Sequence, residues 1–100
     1  MIHVIAIIKA RPGMRNAVLS HVEENIPTVT AEEGCIEYRP LIDLSAEAPA
    51  GFGPDTLVIV EKWRDEACLK RHAAAAHMKN YAEKVSTFIL QRDIRILKDI

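Results

Sequence analysis

The chain has few aromatic residues: one tryptophan, two tyrosines and two phenylalanines among 100 residues. Any aromatic wall must be assembled from that short set. Cysteine is scarcer still. Cys35 and Cys68 are the only two, without CxxC spacing, and they read as reduced, small buried hydrophobes rather than a disulfide pair. Basic charge is not in excess. Thirteen Lys and Arg against fourteen Asp and Glu give a net charge of -1, which leaves nothing to neutralise a phosphate backbone and argues against nucleic acid as a partner. The opening run MIHVIAIIKA lacks a basic leader and is too short to span a bilayer, so a cytoplasmic protein with no secretion signal or membrane anchor is expected. A Gly-rich phosphate loop, a Ser-His-Asp order and a flavin fingerprint are all missing.

What is present fits one domain over residues 1–100, with no room for a second core. Ile2 to Ala10 reads as a strand with Ile2, Val4, Ala6 and Ile8 on one face. Ile5 and Ile7 lie on the other, with His3 and Lys9 at its ends. Both faces are apolar in the middle. A small sheet with helices on one side normally turns a polar face to water, so the second apolar face calls for cover, most simply another copy of the sheet. After the Arg11-Pro12-Gly13 turn, Met14, Val18, Val22, Ile26 and Val29 recur at helical spacing. Pro27 predicts a break, with one helix to about Asn25 and a short second one from Pro27 to Glu33. Gly34 is placed to stop it in a left-handed conformation.

Cys35 to Leu44 reads as the second strand and Ser45 to Asp55, rich in Pro, Gly and Ala, as an exposed loop. Leu57 to Trp63 is a third strand with Leu57, Ile59, Glu61 and Trp63 on one face and Val58, Val60 and Lys62 on the other. Asp65 and Glu66 cap and start a helix carrying His72 and His77, in which Ala73 to Ala76 allows a bend. Phe88 to Leu97 reads as the last strand. The order βαββαβ predicts an α+β, ferredoxin-like fold: a four-stranded antiparallel sheet with helices on one face.

Each chemistry-bearing residue has a plain structural reading beside the functional one. His72 follows Leu69 on the inward side of its helix and is either a satisfied structural histidine or a base. His77 reads first as a capping or bridging histidine. His72 and His77 are five apart and so diverge on a continuous helix, while Cys68 and His72 at i, i+4 supply only two ligands; no metal site is expected. Trp63 reads as core. Glu61, if buried, needs a partner, and a carboxylate near an imidazole is the usual way to orient a base. Tyr38 is either core or a polar handle in a pocket. Arg92, Arg95 and Lys98 read as a solvated edge.

In this order the pieces resemble a family. Gly34-Cys35 with Tyr38, the strand motif Glu61-x-Trp63, His72, and the run His77-Met78-Lys79-x-Tyr81 are similar to the antibiotic biosynthesis monooxygenase family of dimeric α+β barrels. Arg11-Pro12-Gly13, Ile26-Pro27-Thr28-Val29, Glu32-Glu33-Gly34-Cys35 and Ile94-Arg95-Ile96-Leu97 resemble its small quinol monooxygenases. The resemblance runs from Ile2 to Leu97. It implies a homodimer whose sheets pack face to face, a pocket in each subunit between sheet and helices, and oxidation of a quinol or polycyclic phenol by dioxygen without flavin, haem or metal. His72 would be the base, helped by Glu61, with Trp63, Tyr38, His77 and Tyr81 about the substrate. Alternatives remain open: an isomerase or lyase acting on a small phosphosugar-type signal, for which Arg39 or Arg92 would have to serve, and a non-catalytic dimeric ligand-binding module. Haem-degrading relatives carry a histidine where this chain has Tyr81, Ala82 and Glu83.

Overall fold

Alternating apolar residues in β1 (Ile2–Ala10) and β3 (Thr56–Trp63) make these the two central strands of one antiparallel sheet. β2 (Cys35–Leu41) flanks β3, and β4 (Ile89–Lys98) flanks β1, giving the order β2-β3-β1-β4. The computed structural model describes the whole chain, Met1–Ile100. Three helices, α1 (Arg15–Thr30), α2 (Glu66–Ala74) and α3 (Ala76–Val85), cover one face, and a single 3-10 turn, Ser86–Phe88, leads into β4. This is the α+β ferredoxin-like arrangement. No helix is long and apolar enough to cross a membrane.

The core lies between the sheet and the helices. Val4, Ala6, Ile8, Leu57, Ile59 and Trp63 rise from the sheet against Val18, Val22, Val29, Cys68, Tyr81 and Val85. Opposite them Ile5, Ile7, Val58 and Val60 remain half-buried on a face that no helix covers. Both halves of the alternation expected for β1 and β3 are present.

Three local expectations need correction, and one bulge adds to them. Pro27 does not split its helix: α1 runs unbroken to Thr30 with the proline inside. Its missing N–H forfeits one bond to the carbonyl of Glu23, an exposed residue whose carbonyl water can serve, while Val22 and Val29 on either side are fully buried and anchor the helix to the core. The second strand stops at Leu41 rather than Leu44, because the Asp43 carboxylate accepts bonds from the backbone N–H groups of Phe52 and Gly53 and folds the chain into the loop. Those bonds hold Asp43 below the usual carboxylate range. A bulge between Cys35 and Glu37 leaves Ile36 exposed while Tyr38 turns inward. Finally, His72 and His77 do not share a helix. Ala75, extended at φ -67° and ψ 145°, ends α2 and begins α3.

Candidate active site

The site grows from three sequence devices. Asp65 caps α2, its Oδ1 accepting from the Cys68 N–H at 2.9 Å, and that bond holds its carboxyl down at about 2. The cap fixes where α2 leaves β3 and so where His72 stands over the strand. Gly34, at φ +81°, lets the chain turn tightly after α1; a Cβ there would run into the Sγ of Cys68. With no side chain between them, the turn lies against α2 and brings Glu32 up to His72. The break at Ala75 is the third device. It re-aims α3 so that His77 points back toward the same carboxylate.

The result is a row of groups joined end to end. Glu32 Oε2 lies 2.7 Å from His72 Nδ1 and 2.9 Å from His77 Nε2. With Glu32 ionised, Nδ1 of His72 carries the proton, which leaves the lone pair on Nε2. His72 Nε2 is 3.8 Å from Glu61 Oε1, beyond hydrogen-bond reach. Glu61 is held instead by Trp63, whose indole N–H donates to Oε1 at 2.9 Å. Burial raises the pKa of Glu61 against the smaller opposing effects of that bond and of His72. Trp63 is fully buried and packs its ring 4.6 Å from the imidazole, while Tyr38 meets the imidazole edge-on at 5.7 Å. Burial, then the neighbouring Glu61, pushes the Tyr38 hydroxyl well up, so it stays a neutral donor.

Beside this row lies a cavity of about 400 Å³, hydrophobic at 12 of its 16 lining residues. Tyr38, Glu61, His72 and Tyr81 reach its wall, and Arg92 and Lys79 stand at it as well. It opens over β4, where Ile94 and Ile96 are more than half exposed because the helices stop short of that strand. Its size and apolar lining suit a ring system, with a few polar groups to orient it.

The expected residues are therefore divided. His72, Glu61, Tyr38 and Tyr81 meet at one cavity. Trp63 lies behind Glu61 and His72, as their support rather than as lining. His77 lines a different, polar cavity between α1 and α3. Glu32, not Glu61, occupies the orienting position at His72 Nδ1. Sequence reasoning missed Glu32 because it lies 40 residues from His72, in a turn with no periodic signal; the run Glu32-Glu33-Gly34-Cys35 was its only mark. The two histidines also converge, contrary to the divergence predicted for one helix, since the break at Ala75 changes the direction of α3. Glu32, His72 and His77 each offer a ligand atom, all within 4.8 Å of one another. A tetrahedral zinc ion with bonds of about 2.0–2.1 Å needs ligand atoms about 3.3 Å apart. The spacings of 2.7 and 2.9 Å are those of shared protons.

The family model described as antibiotic biosynthesis monooxygenase matches residues 1–84. The chain is 42% identical over 101 residues to the probable quinol monooxygenase YgiN of Escherichia coli strain K12, covering 98% of this chain and 97% of that protein. Among solved structures, a conserved protein from Methanosarcina mazei Go1 superposes with a TM-score of 0.85 at 25% identity, over 99% of this chain and 92% of that one. PA3566 from Pseudomonas aeruginosa superposes with a TM-score of 0.83 at 24% identity, over 99% and 93% of the two chains.

Proposed function

The chain belongs to the antibiotic biosynthesis monooxygenase family, and from that premise we propose that it oxidises a quinol or polycyclic phenol with dioxygen as co-substrate, using no flavin, haem or metal. The observation that carries this reading is the imidazole of His72. Its Nδ1 is fixed by Glu32, and its ring lines a cavity that is mostly apolar, with Nε2 on the side of Glu61. The 42% identity to a protein named as a probable quinol monooxygenase supports the choice of substrate class.

The chemistry asks little of the protein. A neutral phenol is a poor one-electron donor to dioxygen, and its anion is a good one. Nε2 of His72 takes the hydroxyl proton, and imidazole is the side chain that most often serves as a general base. The phenolate gives one electron to dioxygen, and the two radicals join in a new C–O bond. The ring carbon then loses its C–H proton as the O–O bond breaks, which leaves a ring carbonyl, and the other oxygen departs as water with that proton and the one first taken from the hydroxyl. Glu61, 3.8 Å from Nε2, favours the imidazolium while it lasts. Tyr38 donates to the substrate oxygen, and Tyr81 closes the far wall. Arg92 and Lys79 could meet an anionic group, but a lining that is three-quarters hydrophobic favours a ring over a phosphosugar, and Arg39 points from the opposite face.

Self-association belongs to the same reading. Ile5, Ile7, Val58 and Val60 form an apolar patch on the open sheet face, and we infer that a second copy covers it.

Oxygen uptake with a reduced naphthoquinol tests the proposal. His72→Ala should fold normally and lose at least about a hundredfold in rate, the usual share of a positioned base. Turnover at the native rate in that variant would remove His72 from the reaction.

A further inference from the structure

Two cavities meet at Tyr81. The apolar one receives the proposed substrate. The other, about 230 Å³ between α1 and α3, is lined by polar groups including His21, Glu24, Asn25, His77 and Asn80. Two buried polar atoms, His21 Nδ1 and the Tyr81 hydroxyl oxygen, make no hydrogen bond within the protein, the Glu24 carboxylate standing 3.6 Å from the former. A polar space of this size with unpaired groups in its walls holds water. Between it and His72 runs the row already described: His77 Nε2 to Glu32 Oε2 at 2.9 Å, and Glu32 Oε2 to His72 Nδ1 at 2.7 Å. Side-chain exposure falls along that row from 25% at His77 to 14% at Glu32 and 6% at His72. The row leads inward from solvent.

We propose that Glu32 and His77 form a proton path joining His72 to water in the polar cavity, open while an aromatic molecule seals the apolar one. The inference rests on the reading of His72 as the base and adds positioning residues that act through it. A sealed pocket creates the need. Once a ring fills the apolar cavity, Nε2 of His72 has no water to exchange with, and a proton taken there is trapped as imidazolium.

The path releases it in steps that move protons only. His72 accepts at Nε2 and gives its Nδ1 proton to Glu32 Oε2. His77, which in this path rests with a proton on each ring nitrogen and donates from Nε2 to Glu32 Oε2, releases its Nδ1 proton to water as Glu32 takes the proton from His72. His72 is then neutral with its proton on Nε2. When Nε2 delivers that proton to the reduced oxygen, the same path run inward restores the starting tautomer.

The surrounding charges leave the path clear. Glu33, next in sequence, takes Arg64 and Arg71, so no fixed cation ties up Glu32. Glu61 faces His72 from β3, and Tyr38 faces it from β2. Cys35, also on β2 and near Glu32, has its thiol pushed up by burial first and by Glu32 second, so it stays neutral beside the carboxylate. Lys79 of α3 stands on the apolar side.

The test uses the whole protein without oxygen, with histidine nitrogens labelled and 2-naphthol filling the apolar cavity. NMR follows solvent exchange of the His72 Nδ1 proton. Exchange in the naphthol-bound wild type should stay within about tenfold of the unliganded rate, whereas Glu32→Gln and His77→Gln should each slow it by more than about tenfold. Free imidazole, small enough for the polar cavity, should restore exchange in His77→Gly. Equal exchange rates in wild type and both glutamine variants would overturn the path. If one of those variants fails to fold, the other, with the imidazole rescue, decides. A second readout is turnover of reduced naphthoquinol: kcat should fall and its pH profile should change, with KM unaltered because neither residue lines the apolar cavity. A rise in KM alone would count against the path. Failure of the wild type to consume oxygen would defeat the quinol reading only, since the exchange experiment still upholds or overturns the path.

Discussion

β3 presents two different surfaces from eight consecutive residues. Toward the helices it sends Leu57, Ile59, Glu61 and Trp63, all buried; toward the open side it sends Val58, Val60 and Lys62, all half-buried. The covered face mixes apolar packing with one carboxylate, and the carboxylate is tolerated because the indole of Trp63 donates to it. The open face holds no such device. Its valines and the isoleucines of β1 are simply apolar, with Lys62 reaching Glu37 at 3.9 Å along the margin. A buried polar group needs a specific partner, whereas an apolar patch needs only to be covered. The covered face accordingly holds a polar group fixed by its neighbour, and the open one offers a bare apolar surface.

Three substitutions would break or sharpen that contrast. The largest effect belongs to the covered face. Trp63→Ala empties the space behind Glu61 and His72 and should cost about 3–5 kcal/mol, read as a lower urea midpoint. An unchanged midpoint would mean that the indole is not a structural support. Next comes the open face. Val60→Glu should leave the subunit folded and weaken self-association by roughly a hundredfold, since twofold symmetry places the new charge in the contact twice. Sedimentation equilibrium measures it, and an unaltered mass distribution would separate the patch from assembly.

The smallest effect separates the carboxylate from its surroundings. Because burial raises the Glu61 pKa, the folded protein holds this proton to higher pH than the unfolded chain does. Between the ordinary value of 4.5 and the raised one, stability contributed by this group falls as pH rises. Glu61→Gln keeps an acceptor for Trp63 and removes the titration. Its stability relative to wild type should therefore improve as pH climbs through that window and stay level below it. Urea midpoints that run parallel at every pH would show that Glu61 is not held against its charge.

Much of the fold could be read along the chain. The period of two in β1 and β3, the Asp65 cap and the left-handed Gly34 are local signals, each set by residues next to one another. Misreadings arose where packing outweighs propensity. Pro27 is a helix breaker by local rules, yet Val22 and Val29 are packed tightly enough to carry α1 through it. By sequence, Ala73 to Ala76 allows a bend within one helix, and the chain goes further and breaks at Ala75. The consequence of that break is that His77 meets Glu32.

The candidate site divides in the same way. His72, Glu61, Tyr38 and Tyr81 could be named from their faces and motifs, and the cavity brings them together. Glu32 could not be named, because its importance lies in a distance across 40 residues. His77 was placed with the substrate on its motif, but the structure turns it to the polar side.

The sequence by itself determined the alternation of the strands, the order βαββαβ, and the presence of a carboxylate and an indole two residues apart on one buried face. These depend on the backbone's own periods, which act between near neighbours. Only the tertiary structure decided which carboxylate holds His72, on which side of Tyr81 each histidine lies, and where the helices leave the sheet bare. Those outcomes depend on how helices settle on a sheet, and that is set by the packing of side chains far apart in the chain, which no local pattern encodes.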